Sequence, residues 1–358
     1  MSGFLNRISL LLLVIAAVGC ASTKQPAGSM MPELLYVANQ GEATVSIIDM
    51  STNEVVGKVD LQKLGFSANA KPHHIAVEPD GSFWYLSMIG ENKVLKFNTK
   101  NELVGSAEFE VPGMLAVNPA NEELFVARSM SAVNPPKRIG IIDRSSMDID
   151  EVDVFFPRPH ALAVESNGKY AFTGSLAENS MMTVDASTLE TKMTKLPGDT
   201  QTFVQFAISP DNKTMVTGGQ VSGKVLIFDI SDADNPKVIK TLDVNSQPWH
   251  PVFTPDGRFV YLGNKKANTI TVVDVPNQRI AAVIEDSRIA QPHGSAVSAD
   301  GKRVYISNQH ADMSSMSGGA MHHDMNGTVL VIDTATNKVI KEIEVGAMPS
   351  GIGTRTHK

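Results

Sequence analysis

The chain has 358 residues, 42% of them hydrophobic and 19% charged, which supplies ample apolar material for a core and excludes a disordered, charge-dominated polymer. Net charge is -7 and no basic block is longer than Lys265-Lys266, so the electrostatic footprint of nucleic-acid binding is missing. With a single cysteine, no intramolecular disulfide can form.

Residues 1–19 read as an export signal. Arg7 supplies a positive n-region, and Leu10 to Val18 form an apolar run too short to span a bilayer comfortably. The run ends in Ala17-Val18-Gly19-Cys20, which resembles the lipobox of bacterial lipoproteins, and Cys20 is the one cysteine of the chain. That resemblance implies lipidation at Cys20, and Ala21 in place of Asp implies passage to the outer membrane. Residues 20–33, rich in Ser, Gly, Pro and Lys, read as a flexible tether. The expected location is the cell envelope, on its periplasmic or outer-membrane face, with the lipid as the only membrane contact.

From residue 34 to 356 the chain repeats itself. Leu35-Tyr36-Val37-Ala38-Asn39, followed by Ala43 to Asp49, recurs as Val260-Tyr261-Leu262-Gly263-Asn264 followed by Thr269 to Asp274. It recurs again as Val304-Tyr305-Ile306-Ser307-Asn308 and, after an insert over 311–326, as Thr328 to Asp333. The apolar runs are β-branched and aromatic, and Gly, Asn, Asp and Pro break them, which is strand and turn chemistry. Four strands, A to D, fit each unit. Asp49, Asp143, Asp185, Asp229, Asp274 and Asp333 end the C strands and read as turn formers rather than catalytic acids.

A strands centred on Ala76, Ala116, Ala163, Ala207, Val252 and Ala296 recur at intervals of about 40 to 50 residues, the period of propeller blades. The N-terminal segment has B, C and D strands without an A, and Pro349 to Gly353 has an A with nothing after it. The expected fold is therefore all-β, a seven-bladed β-propeller whose C-terminal strand joins the N-terminal blade and so removes an open edge. The pattern resembles the YVTN-repeat (YncE-like) propellers, exported proteins related in fold to the haem d1 domain of cytochrome cd1 nitrite reductase and to the propeller of nitrous oxide reductase. This resemblance covers almost the whole chain from residue 34 and speaks for fold rather than function. The Gly-His and Trp-Asp signatures of the other common repeat propeller are missing.

Six of the seven A strands are led by a proline, namely Pro72, Pro112, Pro159, Pro248, Pro292 and Pro349, with Phe203 the exception. The next two positions hold His73-His74, Gly113-Met114, His160-Ala161, Val204-Gln205, Trp249-His250, His293-Gly294 and Ser350-Gly351. Five of the nine histidines thus occupy two equivalent positions, which radial symmetry would gather at one mouth of the channel. His310 should share that face. The insert adds Met313, Met316, Met321, His322, His323 and Met325, and its Ser and Gly content would let it fold over as a lid.

Imidazole is the commonest protein metal ligand and thioether favours soft ions, so copper is expected first, with zinc and iron as alternatives. A haem-like cofactor is a further alternative, with histidine as axial ligand and Trp249 stacking on the ring. No Cys-x-x-Cys-His is present to attach haem covalently, and the cysteines of a binuclear copper centre are equally missing. Met88, Met114 and Met130 either join the site or fill the core. A third reading is a scaffold binding an envelope protein or glycan. The sequence assigns no catalytic residue, since no Ser-His-Asp motif, phosphate loop or nucleotide fingerprint is present.

Overall fold

The computed structural model of the chain describes residues 33–134, 137–310 and 326–355. Cys20 and the insert residues Met313, Met316, Met321, His322, His323 and Met325 lie outside them, as do the expected signal and most of the tether. Among the described residues no helix is long and apolar enough to cross a membrane.

Seven four-stranded antiparallel sheets form the seven blades of a propeller. Blade 2 shows the plan, with strands Pro72–Val77, Phe83–Met88, Lys93–Asn98 and Leu103–Glu108 running from A to D. Strands B and C are buried almost throughout, because neighbouring blades pack on both of their faces. Outer strands alternate, as Arg279–Glu285 does in blade 6, where one side meets solvent. The apolar clusters lie between blades rather than within them. Trp84 of blade 2 is stacked on Tyr36 of blade 1 and Phe97 of its own sheet, at 4.7 and 4.1 Å between ring centres.

Turn chemistry follows the sequence. Asp49 accepts hydrogen bonds from the backbone N–H and the hydroxyl of Ser51, and Asp143, Asp185, Asp229, Asp274 and Asp333 cap their C-to-D turns in the same way. In blade 2 Asn98 takes that place, its side-chain oxygen accepting from the amides of Lys100 and Glu102.

Blade 1 is built from both ends of the chain. Its strands Leu34–Asn39, Thr44–Asp49 and Glu54–Asp60 are completed by Pro349–Gly353, with Tyr36 opposite Gly353, Val37 opposite Ile352 and Asn39 opposite Pro349. Tyr305 of blade 7 holds the seam by donating its hydroxyl to Asn53 Oδ1 at 2.7 Å.

Candidate functional site

Every inner strand breaks its pairing at the same place. The leading residue pairs with the end of strand B, and then the register slips, between Pro72 and Ile75, Pro112 and Leu115, Pro159 and Ala161, Phe203 and Phe206, Pro248 and Pro251, Pro292 and Ser295, and, in blade 1, at Pro349. The histidines sit inside this recurrent bulge. A bulge kinks the strand and re-aims the side chains at its extra residue. Here the step comes at the start of the strands nearest the axis.

Backbone amides freed by the bulge are met by hydroxyls of strand B. Ser87 Oγ accepts from His74 N at 3.0 Å and donates to Gly113 O of the next blade at 2.7 Å. Ser307 does the same between Gly294 N and Ser350 O, both at 2.7 Å. In six blades the residue immediately before strand A is a non-glycine residue at positive φ, namely Lys71, Val111, Arg158, Thr202, Gln291 and Met348. Strain of this kind persists only where surrounding structure imposes it.

The five histidines come together as a plug across the channel. His73 meets His160 at 6.1 Å between ring centres, His74 meets His250 at 6.2 Å, and His250 meets His293 at 4.9 Å. They come from blades 2, 4, 6 and 7. His73, His160, His250 and His293 are between 1% and 7% exposed, because the rings fill one another's space at the axis. Beyond them, beginning at the next residues of each A strand, lies a channel cavity of about 640 Å³ lined by Ile75, Leu115, Leu162, Phe206 and Ile352 among others, and no histidine among the described residues borders it.

Burial decides the protonation of these rings. It holds His160 down at about 4 and His74, with some help from His160, at about 3. His73, His250 and His293 are pushed well below the ordinary range, again by burial first and then by their neighbours. Neutral imidazoles result, the form that binds metal.

Two backbone contacts fix tautomers. His160 Nδ1 lies 2.7 Å from Val204 O, so it carries the proton and leaves Nε2 as a bare acceptor without a partner among the described residues. His74 Nδ1 instead accepts from Leu115 N at 3.2 Å, which places its proton on Nε2 and removes a lone pair from use. Both ring nitrogens of His73, Nε2 of His250 and Nδ1 of His293 are buried without partners among the described residues.

Other expected residues are placed differently. His310 hydrogen-bonds Thr328 Oγ1 at 3.1 Å in its own blade and has no ring contact with the plug among the described residues. Met88 and Met114 are fully buried in the apolar clusters between blades and are core. Trp249 lies against His293 at 5.2 Å and His250 at 6.4 Å.

Two polar residues of the site had no strong sequence signal. Lys265 reaches over the Trp249 ring at 4.6 Å and donates to Gln309 Oε1 at 2.7 Å, and desolvation lowers it to about 8. Gln205, in the bulge of blade 5, accepts from the amides of Leu162 and Phe206 at 3.0 and 3.1 Å. Lysine after an Asn-ended B strand was a weak clue to the first, and the equivalence of Gln205 to the histidine positions a weak clue to the second.

Two imidazoles on one tetrahedral ion, with metal–nitrogen bonds of about 2.0 Å, have ring centres ~5 Å apart, as His250 and His293 do. Among the described residues no three His, Cys, Asp or Glu side chains are grouped as a ligand set.

Residues 157–358 match the family described as YNCE-like beta-propeller. The chain belongs to that family. A functionally unknown protein from Desulfotomaculum acetoxidans DSM 771 superposes on this YNCE-like propeller with a TM-score of 0.71, at 13% identity, covering 91% of this chain and 99% of the other. Kuenenia stuttgartiensis hydrazine synthase has a TM-score of 0.65 at 17% identity, over 88% and 99%. Dihydro-heme d1 dehydrogenase NirN in complex with DHE has 0.61 at 14%, over 89% and 74%. These three likenesses are of fold. In sequence, 6-phosphogluconolactonase from Enterobacter sp. (strain 638) is 25% identical over 242 residues, 59% of this chain and 69% of that protein.

Proposed function

We propose that the chain is an exported, lipid-anchored propeller that binds a transition metal, copper first, at the histidine plug. One observation carries the reading: buried neutral imidazoles from four blades meet with ring nitrogens that no protein group satisfies among the described residues. Buried polar atoms are almost always paired, so several orphans in one place point to a ligand. His250 and His293 suit one ion together, His160 Nε2 and His73 are available beside them, and His74 is not. Cu(I) tolerates low coordination numbers, and the methionines and histidines of the 311–326 insert would add soft donors. Zinc and iron are the competing ions. The anchor rests on the lipobox-like sequence before Cys20.

Metal analysis of tag-free protein tests the site. Stoichiometric copper is expected, and His160→Ala with His293→Ala should abolish it while circular dichroism stays unchanged. Undiminished copper in a folded double variant would reject the plug. Labelling with a fatty-acid probe that Cys20→Ser eliminates would support the anchor.

A haem-like cofactor is the second reading. It is favoured by the apolar channel beginning beside the histidines and by the fold likeness to a propeller solved with DHE. A Soret band after incubation with haem, lost in the same double variant, would favour it over copper.

A further inference from the structure

Lys265 brings to the edge of the plug a positive charge that no carboxylate among the described residues balances. Lys265 is half-buried, uses one of its three N–H donors on Gln309, and lies over the Trp249 ring. Among the described residues no carboxylate pairs with it, and the plug histidines beside it contribute no negative charge. Trp249 is 4% exposed, and its indole N–H has no hydrogen-bond partner among the described residues. An indole N–H can only donate, so only an acceptor can satisfy it. Desolvated ammonium and orphaned donor thus stand side by side in a chain of net charge -7, where carboxylates are plentiful elsewhere.

We propose that Lys265 and Trp249 form a binding site for a small oxyanion, a carboxylate or an inorganic one, at the edge of the histidine plug. The remaining N–H groups of Lys265 and the indole N–H would each take an oxygen, giving charge-assisted hydrogen bonds in a site of low dielectric. Gln309 steadies the lysine. Because Lys265 is half-buried, the anion can enter along its stem without unfolding the plug. Imidazoles with protonated nitrogens facing the site can add donors, but none is required.

This site stands whether or not the histidines hold a metal, and its test uses metal-free protein. The chain has two tryptophans, Trp84 and Trp249, so a 15N spectrum of the propeller contains two indole N–H signals, and Trp249→Phe identifies which is which. Acetate, nitrate and phosphate are titrated separately in chloride-free buffer. The Trp249 signal should move saturably with at least one of them while that of Trp84, in the core between blades, stays still. Response to acetate alone marks a carboxylate site, and response to nitrate or phosphate an inorganic one. Lys265→Met should weaken binding roughly tenfold or more, and Lys265→Arg should retain most of it. No saturable shift with any of the three, or a shift that Lys265→Met leaves intact, overturns the proposal, and neither result depends on copper.

Discussion

His160 Nδ1 sits 2.7 Å from the carbonyl oxygen of Val204 in the adjacent blade, so a contact between blades sets which nitrogen of a channel histidine is bare. The corresponding contact at His74 runs the other way, its Nδ1 accepting from Leu115 N. His160 and His74 hold neighbouring positions of the repeat, one and two residues after the leading proline, and their tautomers are opposite.

That difference is testable with one kind of substitution. Asn places its side-chain amide near the Nδ1 position, so His160→Asn can still donate to Val204 O but loses the Nε2 acceptor. Metal affinity should fall roughly tenfold or more with little change in stability. His74→Asn keeps an acceptor for Leu115 N and should bind metal as the unaltered protein does. Calorimetric titration of both variants checks the pair.

Acid should weaken the metal-free protein before its carboxylates titrate. Unfolded histidine titrates near 6.5, whereas folded His160 and His74 do so at about 4 and about 3, and the other three plug histidines are also depressed. Between those limits the unfolded chain binds more protons, so this stability is complete above pH 6.5 and is lost as pH falls toward the folded values. The slope is up to roughly 1.4 kcal/mol per pH unit for each histidine. Urea unfolding at pH 7 and pH 4.5 should show a large drop, and each His→Asn variant should flatten it. Equal stability at both values would contradict the buried, neutral plug.

On the face opposite the plug, Glu78 accepts from Tyr85 Oη at 2.6 Å and pairs with Arg144 of the next blade at 2.7 Å. Removing one member leaves a buried charge unmatched, so Glu78→Gln and Arg144→Met should each cost about 3–5 kcal/mol. The double variant should cost clearly less than their sum, since the pair is coupled. Chemical denaturation of all three measures this.

Gly351 has no room for a side chain. A Cβ there would lie 2.5 Å from His73 O and 2.7 Å from His74 Cα. Gly351→Ala should destabilise the protein by about 1–3 kcal/mol and push strand A of blade 2 outward, loosening metal binding as well. A thermal melt and a copper titration report the two effects separately.

Blade number, strand order and the closure of blade 1 were legible from residues 34 to 353, because β-branched runs, turn-forming Asp and Gly, and leading prolines act over a few residues and recur in each copy. The gathering of His73, His74, His160, His250 and His293 was legible too, once radial symmetry was assumed. Less visible was the bulge after each proline, which has no residue signature of its own and is imposed by packing of seven strands around one axis. Met114 shows the cost of that gap, since it holds the position of His74 in the repeat and yet points into the core between blades.

Local chemistry, then, was enough to establish an all-β ring and the addresses of its unusual residues. Burial, tautomer and partner belong to the tertiary structure, because each depends on groups far apart in the chain. Lys265 meets Trp249 and Gln309, and His160 meets Val204, only after the ring has closed and water has left the axis.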